Sequence, residues 1–138
     1  MCRHESETFA SSTDAPSQAR RFVSDAMTQV VGGPHGVIDD AVLVVSELVT
    51  NATNAGADEI VVELDIHHRM TRVGVEDDGQ GTPEPHSASE TDEHGRGLAI
   101  VSTLTDGWQI RPTDGGKQVW ADVPADPPFT EDHFHCER

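Results

Sequence analysis

Cysteine, positive charge and long apolar runs are all scarce in this sequence. Its 138 residues include two cysteines, Cys2 and Cys136, each near one end, so no disulfide framework is expected. No stretch approaches the roughly 20 apolar residues of a membrane span, and the polar start contains no apolar core of a signal peptide. We therefore expect a protein of the cytoplasm with no membrane partner.

Positive charge is the second shortage. Nine lysine and arginine residues are outnumbered by 25 aspartate and glutamate residues, which gives a formal net charge of -16 and a sequence pI near 4.6. Phosphate groups would be repelled by such a chain, so direct binding to nucleic acid is not expected. A partner protein with a basic surface fits the charge better, although acidity also keeps a small protein soluble.

The spacing of the apolar residues predicts one α+β domain. The predicted elements are, in chain order, helices over 16–31 and 37–54, strands over 60–66 and 72–77, a short helix over 95–104, and strands over 107–111 and 118–123. This order indicates a two-layer α/β sandwich, in which helices cover one face of a mixed, mostly antiparallel sheet. The domain is expected at 8–124, with flexible tails at 1–7 and 125–138. The first dozen residues are expected to form either a tail or a short edge strand around 7–10.

The second predicted helix carries a polar stripe. Glu47 and Asn51 are four residues apart and so share one face of the helix, beside Asn54. Leu43 and Val44 flank the stripe and would be left in water if nothing covered them. We therefore expect the stripe to form the wall of a pocket. The apolar residues of the opposite arc are expected in the core, and they are Val37, Ile38, Ala41, Val42, Val45, Leu48, Val49 and Ala52.

Two glycine-containing segments also carry candidate chemistry. Glu76-Asp77-Asp78-Gly79-Gln80-Gly81 ends a strand in carboxylates, and its glycines would let a flat ligand approach the backbone. A buried aspartate there could accept a hydrogen bond from an amino group, and Asp78 is the candidate, although such a segment alone is more often a turn. Gly95-Arg96-Gly97-Leu98 opens an apolar helix whose free N–H groups could bind an anion. The single lysine, Lys117, follows a turn and is expected at a strand edge rather than on a phosphate.

Together these motifs resemble those of the GHKL, or Bergerat-fold, ATPases. The order is a helical Glu-x-x-x-Asn, a strand ending in Asp-x-Gly-x-Gly, a variable polar loop, and Gly-x-Gly-Leu entering a helix. The sequence is most similar to small stand-alone ATP-binding proteins related to anti-sigma-factor serine kinases, over residues 8–124. The segments that carry this resemblance are Ser46-Glu47-Leu48-Val49-Thr50-Asn51-Ala52, Asp77-Asp78-Gly79-Gln80-Gly81, Gly95-Arg96-Gly97-Leu98-Ala99-Ile100-Val101 and Gly116-Lys117-Gln118-Val119-Trp120.

The resemblance implies ATP and Mg²⁺ as ligands and a role for each motif residue. Asn51 would hold the Mg²⁺ that bridges the phosphates, and Glu47 would be the general base. Asp78 would bind the adenine amino group, with Gly79 and Gly81 beside the base. The residues implied at the phosphates are Gly95, Arg96, Gly97 and Leu98 at the helix N-terminus, with Thr50 supporting either the phosphates or a partner contact.

The resemblance leaves two functions open. The first is a serine/threonine kinase that phosphorylates an anti-sigma-factor antagonist and sequesters a sigma factor, regulating bacterial transcription by partner switching. The alternative is a nucleotide-dependent protein-binding module with little or no kinase activity. The intact motif residues favour the kinase, whereas the implied ATP lid at 82–94 is acidic and lacks lysine and arginine, which favours the module. A homodimer is also expected, and Trp120 is either a dimer or partner contact on the open sheet face or is covered there.

Overall fold

The computed structural model describes residues 3–31, 35–79, 101–126 and 128. The elements formed by these residues are, in chain order, β1 (Arg3–Ala10), α1 (Ala15–Val31), α2 (Gly36–Asn54), β2 (Glu59–Ile66), β3 (Met70–Asp77), β4 (Trp108–Pro112) and β5 (Lys117–Pro124). Residues 101–104 are also helical. Among these residues, no helix has the length and apolar character needed to cross a membrane.

The strands form one sheet with the order β1-β2-β3-β5-β4, and every neighbouring pair is antiparallel. α1 and α2 pack on one face of this sheet and against each other. The α+β, two-layer sandwich that the sequence predicts is therefore confirmed. β1 begins at Arg3 and pairs with β2 along its whole length, so residues 3–7 lie in the sheet although the domain was expected to begin at residue 8.

The alternation of residue types along the strands decides which face of the sheet is buried. In β2, Ile60, Val62, Leu64 and Ile66 are fully buried, and the residues between them are partly exposed. The antiparallel register continues this buried row into β3 and β5, because directly opposed residues point to the same side of a sheet. The helix-facing side thus carries the core, while most residues of β2, β3 and β5 on the other side are polar and at least partly exposed.

α2 ends in a hydrogen-bonded motif that its glycine makes possible. Gly56 has a φ of 87°, a conformation that residues with a Cβ rarely adopt. The Ala57 N–H donates to the carbonyl oxygen of Ala52, and the Gly56 N–H donates to that of Thr53. These two bonds are the Schellman pattern of a helix C-terminus. α2 therefore ends at Asn54, where the sequence predicts its end, and the chain continues directly into β2.

The burial of two residues on α2 differs from the burial predicted from the sequence. Val44 was expected to flank the polar stripe but is fully buried in the core, while Leu43 is 40% exposed. Val42, expected in the core, is only partly buried. The buried arc of α2 is therefore rotated toward Val44, because the helix packs on both α1 and the sheet rather than on the sheet alone.

A buried hydroxyl in the core gives a first prediction on stability. Thr71 is completely buried between Ile66 and Val123 of the adjacent strands, and its Oγ1 has no hydrogen-bond partner among the described residues. Replacing Thr71 with valine keeps the shape and removes the unsatisfied polar atom, so we expect the free energy of unfolding to rise by about 1 kcal/mol. Urea unfolding measures this. The matched control, Val73→Thr, adds the same hydroxyl two residues along the buried face and is expected to destabilise. A Thr71→Val variant less stable than the wild type would contradict the burial of this hydroxyl.

Candidate functional site

The most unusual feature of the core is an ion pair at the end of β3. Asp77 is the last residue of β3 and is directly opposite Lys117, the first residue of β5. Lys117 Nζ lies 3.0 Å from Asp77 Oδ1, and the two side chains are only 7% and 2% exposed. Charged side chains are almost never buried to this extent unless they are paired. Lys117 was expected at a strand edge, and that expectation is wrong. β5 lies between β3 and β4, and Lys117 is on its buried face together with Val119 and Ala121.

Gly79 places this ion pair beside the end of α2. The Gly79 N–H donates a 2.7 Å hydrogen bond to Asp77 Oδ1, so the chain folds back over the carboxylate immediately after β3. A Cβ on Gly79 would lie 3.0 Å from Asp77 Oδ1 and 3.1 Å from the carbonyl oxygen of Ala55. This space is too tight for a side chain without rearrangement. The glycine therefore allows the segment after β3 to contact the helix that carries Asn51.

Gly116 allows a similar close approach from the other side. A Cβ on Gly116 would overlap the carbonyl oxygen of Asp77 and would lie 2.7 Å from Asp78 Cα. The turn between β4 and β5 is closed by a 3.0 Å bond from the Thr113 N–H to the Gly116 carbonyl oxygen. This turn and its glycine hold the start of β5, and with it Lys117, against the end of β3.

Asp78, the candidate from the sequence, has different surroundings. Its side chain is exposed, and Oδ1 accepts hydrogen bonds of 2.7 Å from the Asp58 N–H and 3.2 Å from the Glu59 N–H. These hydrogen bonds lower the pKa of Asp78 below its ordinary value, and the bond from the Asp58 N–H has the larger effect. The stabilisation that these hydrogen bonds give is therefore present above the pKa that Asp78 has in the unfolded chain. It is lost as the pH falls through the lower pKa that Asp78 has in the folded protein. Asp78 therefore stabilises the start of β2. The buried carboxylate that was expected at Asp78 is that of Asp77 instead.

The sequence did contain a signal for this difference. In the pattern Asp-x-Gly-x-Gly the aspartate stands two residues before the first glycine, and counting back from Gly79 gives Asp77. Asp77 also follows Val73 and Val75 at the two-residue period of a strand, which places it on the buried face. By the same alternation, Asp78 is expected on the opposite face.

The polar residues of α2 lie in its last turns, on the side of the helix that is not fully covered. Glu47, Thr50 and Asn51 are all partly buried. The carbonyl oxygen of Asn51 accepts a 2.9 Å hydrogen bond from the Ala55 N–H, so Asn51 belongs to the same helix terminus that Gly79 contacts. Glu47 is one turn earlier on the same face of α2. Both polar side chains are therefore on the helix that borders the Asp77 site.

The other residues expected at the site lie outside the described part of the chain. These residues are Gly81, Gly95, Arg96, Gly97 and Leu98, together with the implied lid at 82–94. Cys136 and the histidines near the C-terminus also lie outside it. The described part of the site is therefore the Asp77 carboxylate, the Lys117 ammonium, the two glycines that enclose them, and the polar residues of α2.

The chemistry of this arrangement fits a nucleotide better than a free metal ion. Asp77 Oδ1 accepts from Gly79 and Lys117, and no other described residue is seen to donate to Oδ2. No group of three or more histidine, cysteine, aspartate and glutamate side chains that could hold a metal occurs in the described part of the chain. Mg²⁺ commonly needs only one or two protein ligands when substrate phosphates supply the others, and Asn51 could be such a ligand.

Comparison of the whole sequence with protein families gives one match over most of its length. The profile of the histidine kinase-like ATPase domain matches residues 9–123, from the end of β1 to the end of β5. That span contains Glu47, Asn51, Asp77 and Lys117. None of the curated proteins compared with the chain matches it.

The chain also matches solved structures. The RsbU and RsbW domains of Rv1364c from Mycobacterium tuberculosis match with 23% sequence identity and a TM-score of 0.63, over 89% of this chain and 33% of that one. The histidine kinase domain of a blue-light-activated histidine kinase from Erythrobacter litoralis EL346 matches with 24% identity and a TM-score of 0.46, over 80% of this chain and 61% of that one. This chain spans about a third of the length of the mycobacterial chain. The first likeness is one of fold.

Proposed function

The chain belongs to the histidine kinase-like ATPase family, and we propose that it is a Mg²⁺-ATP-dependent serine/threonine protein kinase of the anti-sigma-factor type. The observation that carries the proposal is the buried Asp77 carboxylate, which Gly79 holds beside the end of the helix that bears Glu47 and Asn51. Family membership implies ATP binding, and the motif resemblance adds the kinase type.

Asp77 is proposed as the residue that recognises the base of the nucleotide. Its side chain is buried, its Oδ1 is fixed by two donors, and its Oδ2 is directed to no other described residue. A fixed carboxylate oxygen in a water-poor site is a strong and directional acceptor for an amino group. Asp78 lacks these properties because it is exposed and its Oδ1 is engaged by the backbone of Asp58 and Glu59.

The polar residues of α2 are proposed to act at the phosphate end of the nucleotide. Asn51 would hold the Mg²⁺ that neutralises the phosphates, which matters in a chain with a net charge of -16. Glu47, one turn earlier, would accept the proton of the serine or threonine hydroxyl as its oxygen bonds to the γ-phosphorus and ADP leaves. Gly81, Gly95, Arg96, Gly97, Leu98 and Thr50 are proposed to complete the contacts to the nucleotide, as the resemblance implies.

The proposed partners are an anti-sigma-factor antagonist, as the substrate protein, and a sigma factor, as the protein that is sequestered. Support comes from the four motif segments of the resemblance and from the acidic composition, which suits a basic partner surface. The fold shared with a structure that includes an RsbW domain agrees with this assignment. We place the protein in the cytoplasm and propose that it forms a homodimer.

Substitutions on α2 separate nucleotide binding from phosphoryl transfer. Asn51→Ala is expected to abolish Mg²⁺-dependent ATP binding, because the cation loses its protein ligand. Glu47→Gln is expected to leave ATP binding within about threefold and to lower transfer by roughly 10²- to 10⁴-fold, because the general base is lost. Calorimetric titration measures binding, and transfer of γ-phosphate to a serine of the purified antagonist protein measures activity.

The exposed Asp39 in the first turn of α2 supplies the control, since Asp39→Asn removes a charge from the same helix and should change neither quantity. Unchanged ATP affinity in Asn51→Ala would contradict the assignment of Asn51. Tight ATP binding by the wild type without transfer to any antagonist would instead favour a nucleotide-dependent binding module.

A further inference from the structure

A groove lies at one edge of the sheet, between β1 and α1. It has a volume of about 460 Å³, and its walls include Glu7 and Phe9 of the strand and Phe22 and Asp25 of the helix. Among the described residues, none from α2, β3 or β5 lines this β1–α1 groove. The groove is therefore separate from the proposed nucleotide site.

The carboxylates of β1 are on the side of the sheet that carries the core elsewhere. Glu5 and Glu7 are directly opposite Leu64 and Val62 of β2, and directly opposed residues point to the same side of a sheet. Leu64 and Val62 are fully buried, whereas Glu5 is only partly buried and Glu7 is exposed. The helix layer therefore covers β2 at this level but leaves these carboxylates of the outer strand open to a ligand.

Two carboxylates in the groove have no positive charge of the chain paired with them. Neither Glu7 nor Asp25 forms an ion pair with another described residue, whereas Glu5 is paired with Arg3 at 2.6 Å. Arg21 also lines the groove but is not within ion-pair distance of either carboxylate. The groove is thus negatively charged, which favours a cationic ligand.

An aromatic pair lies at one end of the groove. The ring centroids of Phe9 and Phe22 are 6.2 Å apart, and the rings meet edge to face at 66°. Phe9 is buried and Phe22 is partly buried against the core. A ligand therefore meets an apolar surface at this end and carboxylates along the rest of β1.

The open edge of β1 indicates the shape of the ligand. In the described part of the chain, β1 is an outermost strand of the sheet and pairs with β2 alone. Every second residue of such a strand directs its N–H and C=O groups outward, where another strand can bind them. A chain that pairs with β1 places alternate side chains in the groove, opposite Glu5, Glu7 and Phe9. These three positions suit two basic residues and one apolar residue, each separated by a single residue.

We propose that the β1–α1 groove is a docking site for an extended basic segment of a partner protein, which adds a strand to β1. In antiparallel pairing, as in the rest of the sheet, the segment has an apolar residue followed at the second and fourth positions by lysine or arginine. The apolar residue packs on Phe9 and Phe22, the next basic residue pairs with Glu7 and Asp25, and the last one is near Glu5. This docking goes beyond the proposed function, because it needs no nucleotide.

The probe is a capped synthetic peptide of the sequence Thr-Val-Thr-Lys-Thr-Lys-Thr. The full ¹⁵N-labelled chain is titrated with it in the absence of nucleotide, and amide chemical shifts are followed by NMR. Saturable shifts are expected in β1 and in the groove-lining face of α1. The peptide Thr-Lys-Val-Lys-Thr-Thr-Thr has the same composition but directs its valine to the side opposite its lysines. It is expected to bind at least about fivefold more weakly, because the apolar contact is lost.

Substitutions in the groove test the charge pairing. Glu7→Gln combined with Asp25→Asn removes the two unpaired carboxylates and is expected to weaken binding of the first peptide about three- to tenfold. Asp39→Asn combined with Asp114→Asn removes the same charge from exposed positions outside the groove and should bind as the wild type does. Circular dichroism melting shows whether each variant has kept its fold.

Methylated peptides separate strand addition from the attraction of charges. One form of the first peptide is methylated on the backbone nitrogens of valine and lysine, and the other on those of threonine. Only one of these two sets faces β1, so one form is expected to bind at least about tenfold more weakly than the parent peptide and the other to bind as the parent does.

Four results would overturn the docking site. Equal binding of the two unmethylated peptides, or equal binding by the groove variant and its control, would show that only the general acidity of the chain attracts lysine. Saturable shifts outside β1 and α1 would place the peptide elsewhere. No saturable binding at millimolar peptide would mean that the carboxylates only protect the edge strand from unwanted pairing. The comparison of peptides on the wild type does not depend on the folding of any variant.

Discussion

Gly116→Ala is expected to lower the free energy of unfolding by about 3 kcal/mol or more. The added Cβ would overlap the carbonyl oxygen of Asp77, and the atoms it meets belong to the backbone of a central strand rather than to a flexible side chain. Overpacking of this kind forces the backbone to move and commonly costs 1–3 kcal/mol, with larger values where relaxation is blocked. The close approach of β5 to the end of β3 would be lost, and with it the placement of Lys117.

The adjacent glycine makes this prediction specific. A Cβ on Gly115 would have no atom within 4 Å, and its φ is not positive, so Gly115→Ala is expected to change stability by less than about 0.5 kcal/mol. Urea unfolding of both variants, followed by circular dichroism, gives the two values. If Gly116→Ala were as stable as Gly115→Ala, the packing of the β4–β5 turn on Asp77 would be incorrect.

Asp77→Ala is expected to destabilise the domain by roughly 3–5 kcal/mol, because it leaves the buried Lys117 ammonium without its partner. The reason is the cost of an uncompensated buried charge rather than the strength of the pair, since desolvation offsets most of the attraction between the two ions. The double substitution Asp77→Leu with Lys117→Met replaces both charges by apolar groups and is therefore expected to be close to the wild type in stability.

A double-mutant cycle in urea, made of the wild type, Asp77→Leu, Lys117→Met and the double variant, measures the coupling between the two positions. The single and double variants are compared at equal protein concentration, and the coupling between the two positions is expected to be strongly favourable. Asp78→Ala is the matched control, since it removes an exposed carboxylate next to Asp77 and lacks a buried partner charge. Additive effects of the two single substitutions would show that the buried pair does not form.

The sequence predicted the layers of the fold well because periodicity reports burial directly. The period-two run from Ile60 to Ile66 indicated a strand with one buried face, and the apolar arc of α2 indicated a helix packed on a sheet. Gly56 marked the end of α2 because a positive φ there suits glycine. These features are local, so the residues themselves contain the information.

The site was harder to predict because it depends on register between strands distant in the sequence. Asp77 and Lys117 are neighbours only because β3 and β5 pair in one particular register, which the sequence does not specify by itself. A lone lysine after a turn is most often exposed, and two successive aspartates leave open which one is buried. The alternation along β3 determines which of the two is buried, and it places Asp77 on the buried face.

The most direct test of the proposed base site is titration of the full chain with Mg²⁺-ATP after Asp77→Asn and after Asp78→Asn. Asparagine keeps the size of each side chain, and its oxygen can still accept from the Gly79 N–H or from the Asp58 N–H. We expect Asp77→Asn to weaken ATP binding at least about 100-fold, because an amide donor replaces the carboxylate acceptor, and Asp78→Asn to bind within about threefold of the wild type. Loss of binding in Asp78→Asn with retention in Asp77→Asn would contradict the assignment of Asp77 as the residue that reads the base.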